Sequence, residues 1–248
     1  MWTDRQAIEV FHLLFLRSFG ARVDKTLFAL KGGCNLRFFH RSIRYSEDMD
    51  LDIRTMAPAT LRSNVEAVLA ADPFRHSLRA QQLEIATATA PKQTSTTQRW
   101  KVALRLADQR HTIPTKIEFS RRALDAGAEL APVESELIRR YKLYPVLVQR
   151  YNAQAAFSQK LAALALRSET QARDIFDLKL LLDAGASPPA SRELLPAAIE
   201  NAMTISFDDF TGQVVAYLEP EHQADFRDRA SFEALQEQVV DALRALQP

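Results

Sequence analysis

Between Ser46 and Ile53 the chain reads Ser-Glu-Asp-Met-Asp-Leu-Asp-Ile. Met49, Leu51 and Ile53 alternate with Asp48, Asp50 and Asp52, the period of a β-strand with one apolar and one carboxylate face. Same-face side chains of a strand stand about 6.6 Å apart, so three carboxylates crowd one side of a short segment. Aspartate is depleted in strands, and like charges side by side are unfavourable. A fold containing this strand must leave the acidic face in water or supply it with cations. One reading is an edge strand whose outer face is acidic and wet. The other is a strand offering oxygen ligands to Mg²⁺ or Mn²⁺, which bind carboxylates together with substrate phosphates. The spacing is not that of an EF-hand loop, which needs a central Gly and a distant Glu.

The surrounding pattern specifies an α+β chain. Residues 4–18 carry apolar side chains at helical spacing (Ile8, Phe11, Leu14 or Phe15), with Thr3 as N-cap and Gly20 as terminator. The run Phe11 to Phe19 is too short to span a bilayer, contains Arg17 and lacks a cleavage site, so it reads as a buried helix face. Leu27 to Leu30 is a short strand or helix halted by Gly32-Gly33, and Pro58 opens a helix through about Ala71. Residues 83–89, 98–106 and 112–120 alternate and read as strands, with turns at 92–97 and 108–111. From about Val146 the pattern is helical, with helices over 153–167, 170–184, 191–203, 206–217 and 231–246. Gly185 with Pro188-Pro189 is the clearest punctuation there. The expected organisation is an α+β domain over 1–145, a small mixed sheet with helices, and an all-helical domain over 146–248.

Composition removes several classes. A 47% hydrophobic, 25% charged chain is not disordered. Only six glycines occur and only Gly32-Gly33 are adjacent, so neither GxGxxG nor GxxxxGK[ST] can be written. A Rossmann site and a P-loop are thereby disfavoured. The single Cys34 cannot form an internal disulfide, and no Cys/His spacing suits zinc. These features predict a soluble, cytoplasmic protein with no membrane partner. The net charge of +1 hides segregation: Arg79 to Arg122 holds nine bases against three acids, and Arg139 to Lys179 eight against three. Residues 200–248 hold three bases against ten acids. The basic stretches are either solvated faces or a surface for an anionic partner.

Several companions of the acidic strand bear on its role. Gly32-Gly33 is either a turn or a place where backbone N–H groups approach a phosphate. Lys116 and Glu118 share a strand face, so Glu118 is either half of a cross-strand pair or a third metal carboxylate beside Asp48 and Asp50. Lys160 lies in a helix lined by Ala and Leu, on one face with Leu164 and Arg167. Asp174 and Asp177 share a face downstream. Asp177, hemmed by Leu178, Leu180 and Leu181, either pairs with Arg173 or Arg167, or works with Lys160 on a nucleotide's phosphates.

Four blocks together resemble a known family: Leu30-Lys31-Gly32-Gly33-Cys34-Asn35-Leu36-Arg37, Arg44-Tyr45-Ser46-Glu47-Asp48-Met49-Asp50-Leu51, Gln159-Lys160-Leu161 with Ala163, and Arg173-Asp174-Ile175-Phe176-Asp177-Leu178. In order and spacing they are similar to the AbiEii-type toxins, nucleotidyltransferase-like proteins of bacterial toxin–antitoxin and phage-defence systems. The resemblance implies a DNA polymerase β-like nucleotidyltransferase core followed by a helical region. It implies metal-dependent transfer of nucleotides from an NTP, in some members onto the 3′ acceptor end of tRNA, and an AbiEi-type antitoxin. Carried across, Asp48 and Asp50 are the metal carboxylates with Ser46 beside them, and Glu118 is the third acid. Gly32, Gly33 and Cys34 meet phosphate, Lys160 binds the nucleotide, and Asp174 and Asp177 belong to the last motif. Asp52 lies beyond the pair and reads as surface. The family usually has Thr or Ser where this chain has Cys34, whose thiol is the weaker donor; Cys34 is otherwise a small buried hydrophobe. Two other readings share these residues: nucleotidylation of a protein, and a non-catalytic module that binds nucleotide or antitoxin. Under the catalytic reading, Asp48→Ala or Lys160→Ala abolishes toxicity without unfolding.

Overall fold

Thr3 opens the first helix, α1 (Asp4–Arg22), with a reciprocal capping box. Its hydroxyl accepts from the Gln6 amide while the Gln6 side chain accepts from the Thr3 amide. The computed structural model describes residues 2–124, 126–186 and 191–247, so Pro188-Pro189 lie outside the described residues. After α1 come β1 (Phe28–Lys31), α2 (Gly32–Phe39), β2 (Asp48–Ile53), α3 (Pro58–Ala70) and α4 (Asp72–Ala80). Three longer strands follow, β3 (Leu83–Gln93), β4 (Thr97–Leu106) and β5 (Ile113–Arg121). β6 (Ala128–Pro132), α5 (Ser135–Arg140) and β7 (Leu147–Tyr151) complete the sheet. Beyond them lie α6 (Ala153–Leu166), α7 (Ala172–Asp183), α8 (Leu195–Thr204), α9 (Phe207–Gln213) and α10 (Arg229–Ala245), with short 3₁₀ turns between some of them.

The seven strands form one mixed sheet in the order β3-β4-β5-β2-β1-β7-β6. β2 pairs parallel with β5 and β1 parallel with β7; the other pairings are antiparallel. The acidic strand is therefore fourth of seven, which overturns the edge-strand reading. Residues 147–151 are strand β7 where a helical pattern was expected; only Val148 and Tyr151 of that strand are buried, too few to show a period. The chain divides into two compact units, Met1–Phe39 with Ser46–Tyr151, and His40–Tyr45 with Asn152–Pro248. The short segment 40–45 is bound into the second unit by an Arg44–Leu218 bridge, flanked by a Tyr45 amide to Tyr217 carbonyl bond of 2.9 Å. None of the helices among the described residues is long and apolar enough to cross a membrane.

In the first unit α1 supplies the apolar ballast. Phe19 packs on Phe28 and Phe119 with ring centroids 5.0 and 5.3 Å apart, and Phe11 and Phe15 pack on Phe74 of α4. Met49, Leu51 and Ile53 are buried in this core, each worth about 1.5–3 kcal/mol. Alternation then turns Asp48, Asp50 and Asp52 to the other face of the sheet.

One polar group sits inside the core. His12 of α1 is fully buried, its Nε2 2.8 Å from Thr115 Oγ1. Thr115 spends its proton on the Glu47 carbonyl, so Nε2–H of His12 is the donor to Thr115. Burial lowers the imidazole pKa to about 3. The sign follows from linkage: the fold holds His12 neutral while the unfolded chain takes a proton near pH 6.5. Its contribution is complete above pH 6.5 and is lost as pH falls towards 3. At pH 5 it has cost about 2 kcal/mol. Urea unfolding at pH 7 and pH 5 should show that loss in the wild type and not in His12→Gln.

Candidate active site

The acidic strand and the glycine pair meet because β1 ends antiparallel to β2, placing Lys31 opposite Asp50. Gly32 follows with φ +66°, and a β-carbon there would lie 3.3 Å from Asp50 Oδ2. The left-handed backbone favours glycine here, and a side chain would in addition crowd the Asp50 carboxylate. Since α2 begins at Gly32, the amides of Gly32, Gly33 and Cys34 are among those with no intrahelical acceptor. They stand at the rim of the acidic strand. The Cys34 side chain turns inward, buried, with Sγ 3.2 Å from the Asp48 carbonyl and 3.5 Å from His12 Nδ1. Burial pushes its thiol pKa well up. Any phosphate contact of Cys34 is thus through its amide. Ser46 Oγ donates to the same Asp48 carbonyl at 2.9 Å, fixing the entry to β2.

Parallel pairing places Asp48 beside Lys116, Asp50 beside Glu118 and Asp52 beside Ser120. Lys116 Nζ lies 2.8 Å from Asp48 Oδ2, and Arg99 of β4 lies 2.5 Å from Glu118 Oε2. Asp52, expected at the surface, is 0% exposed. It is held by Lys31 at 2.5 Å, by Arg122 at 3.2 Å and by the Tyr151 hydroxyl at 2.8 Å. That is a structural anchor, and its partners from β1 and β7 carry no local sequence signal. Asp50 differs from both neighbours: among the described residues its carboxylate forms no hydrogen bond or ion pair. Burial raises its pKa above the ordinary carboxylate value; Lys116 and Lys31 pull it back, while Asp48 and Glu118 push it up further.

A half-buried carboxylate without a bonded cation, two strand positions from another carboxylate on the same face and level with a third, is a donor set of hard oxygens. It suits Mg²⁺ or Mn²⁺. Asp48, Asp50 and Glu118 do not have all three ligand oxygens within 4.8 Å of one another. The two outer acids are engaged by Lys116 and Arg99. Among the described residues the set that meets that distance is Glu219, Glu221 and His222, around the 3₁₀ turn Pro220–His222 of the second unit. The sequence reading missed this trio.

The second unit carries its own ionic cluster. Lys160 of α6 is 9% exposed, while Asp174 and Asp177 of α7 are 0% exposed. Lys160 Nζ lies 2.9 Å from Asp174 Oδ1 and 2.5 Å from Asp177 Oδ2. Arg44 grips both oxygens of Asp177 at 3.0 Å, and Arg167 lies 3.0 Å from Asp174 Oδ2. The expected Asp177 partners, Arg173 and Arg167, are therefore corrected: Arg173 is exposed, Arg167 serves Asp174, and Arg44 serves Asp177. Burial pushes the Asp177 carboxyl up, but Arg44 and Lys160 more than offset it and hold it below the ordinary range.

The first unit is thus a mixed sheet with paired carboxylates, Asp48 and Asp50, beside the glycine-opened helix α2. The family model of the nucleotidyl transferase AbiEii toxins, of type IV toxin–antitoxin systems, matches residues 14–248. The chain belongs to that family. Two solved structures from Helicobacter pylori share the fold. JHP933 has a TM-score of 0.62 at 16% identity, covering 99% of this chain and 95% of its own. A candidate nucleotidyltransferase has a TM-score of 0.59 at 18% identity, covering 98% of each chain. No functionally curated protein matches the chain.

Proposed function

We propose that this toxin-family protein transfers nucleotides from an NTP to RNA, at the 3′ acceptor end of tRNA, and so blocks translation. The core of the reaction is a DNA polymerase β-like unit made of β1, α2, β2 and β5. The observation that carries the reading is Asp50, a carboxylate without a bonded partner, packed against Gly32 where α2 begins. Asp48 and Asp50 hold Mg²⁺ or Mn²⁺, with Glu118 as the third acid. When bound, the metal neutralises phosphate charge as it builds on the leaving group. The first amides of α2, at Gly32, Gly33 and Cys34, bind the NTP's phosphates, and Ser46 keeps β2 in place to receive them. Within the second unit, Lys160 keeps one N–H beyond those spent on Asp174 and Asp177 with which to meet an anion.

The acceptor hydroxyl oxygen attacks the α-phosphorus and a new phosphoester bond forms. The bond from that phosphorus to the bridging oxygen breaks, pyrophosphate leaves, and the hydroxyl proton passes to water. Positioning and charge neutralisation supply most of the rate. A cognate AbiEi-type antitoxin restrains the activity in the cell.

Incubation with each NTP, Mg²⁺ and total tRNA tests the reading. Label from the α-phosphate should enter RNA, label from the γ-phosphate should not, and EDTA should abolish the transfer. Label migrating with protein would move the acceptor to a protein hydroxyl. No label in RNA from any of the four nucleotides would overturn the RNA claim.

A further inference from the structure

The far end of β2 carries a second feature. Where β2 and β5 run out, an open pocket of about 420 Å³ is lined by Arg54, Arg121 and Arg122 with Thr55, Met56 and Ala57. Among its described lining residues there are three guanidinium groups and no carboxylate. Arg121 is fastened in place, donating to the Met56 carbonyl and the Gln98 side chain, both neutral acceptors. Its Nε is buried without a partner. The Arg54 side chain forms no ion pair or hydrogen bond among the described residues, the exposed Asp24 being the nearby acid that feels its charge. Arg122 reaches Asp52 at 3.2 Å, but Lys31 already neutralises that carboxylate at 2.5 Å, and the Arg122 side chain stays 60% exposed.

The backbone adds to this charge. Thr55 holds a left-handed φ of 56°, a costly conformation for a β-branched residue, and this bends the chain into α3. α3 starts at the pocket wall with Ala57 as N-cap and no capping side chain, so the Ala59 and Thr60 amides lack an intrahelical acceptor. Planar guanidinium forks and free helix amides both select phosphate oxygens. Four strand positions, about 13 Å, separate Arg54 from Asp50. A phosphate held here belongs to a part of the substrate other than the group being transferred.

We infer that the pocket of Arg54, Arg121 and Arg122 is an anion subsite for a backbone phosphodiester of the polynucleotide acceptor. The inference rests on the RNA reading above for its ligand, but it is tested without catalysis. Fluorescein-labelled tRNA is titrated with the full chain in the absence of NTP, over a range of KCl concentrations, using anisotropy. Arg54→Ala and Arg122→Ala change exposed side chains; Arg121 is left alone because it ties Met56 to Gln98. Each variant should bind roughly tenfold more weakly at low salt, and the salt slope should fall by about one per arginine. The melting shift produced by NTP with Mg²⁺ should be unchanged in the double variant.

Unchanged RNA affinity and salt slope would overturn the inference, as would a wild type that does not bind RNA. Loss of the NTP-induced shift would overturn it by placing the triphosphate in the pocket. A melting shift with inorganic phosphate that disappears in the double variant, while RNA binding stays intact, would make it a small-anion site and likewise overturn it. Arginine-dependent RNA binding without nucleotide transfer would refute the catalytic reading and leave the subsite standing.

Discussion

Asp50→Asn should lower nucleotide transfer on the order of 10³-fold, because removing a metal carboxylate forfeits several kcal/mol of transition-state charge stabilisation. It should do so without loss of fold. Among the described residues Asp50 makes no hydrogen bond or ion pair that the change would break, and its raised pKa means that ionisation costs the folded state. For a carboxyl with raised folded pKa, stability is complete below the unfolded value and declines as pH rises through the folded value. The variant removes that decline. At neutral pH its melting temperature should equal or exceed that of the wild type, and the difference should close as pH falls into the carboxylate range. Mg²⁺ favours the charged carboxylate and should raise the wild-type melting temperature but not that of the variant. A variant that melts well below the wild type at neutral pH would show Asp50 to be structural.

Lys160→Ala should fail for a different reason. Lys160 is the shared counter-ion of two fully buried carboxylates, and deleting one partner of such a group costs about 3–5 kcal/mol. The sequence expectation for Asp48→Ala and Lys160→Ala, lost activity with an intact fold, is therefore revised at Lys160, where the buried ion pairs make the fold depend on the side chain. Asp177 would retain Arg44, whereas Asp174 would retain only the more exposed Arg167. A second change, Asp174→Ala, should accordingly restore part of the lost stability, read as coupling in urea unfolding. Strictly additive losses would show that the pair is not an ionic unit. Arg44→Ala should also destabilise the second unit, since Asp177 depends on both cations to stay charged.

What could be read from sequence was local. Thr3 and Gln6 mark the start of α1 through neighbouring residues, and the period of Met49 to Ile53 places three carboxylates on one face. Gly32-Gly33 reads as a turn or a phosphate contact because paired glycines let backbone N–H groups approach an anion closely. The elements that escaped reading lack a period or are short. α2 has only eight residues and opens on two glycines, and β6 is a mostly exposed five-residue strand ending in Pro132. The partners of the acids escaped for a different reason. Arg44 lies 133 residues from Asp177 and Tyr151 lies 99 from Asp52, distances at which one sequence carries no pairing signal. Asp52 looked like surface because its identity in a polar alternation says nothing about Lys31 on the neighbouring strand.

On the proposed function the divalent ion sits at β2 rather than at the Glu219, Glu221 and His222 trio. Mn²⁺ binding in the presence of a non-hydrolysable NTP, measured by calorimetry on folded wild type, Asp50→Asn and Glu221→Gln, separates the two. The account predicts that binding is lost in Asp50→Asn and unchanged in Glu221→Gln. Retention in Asp50→Asn with loss in Glu221→Gln would contradict it.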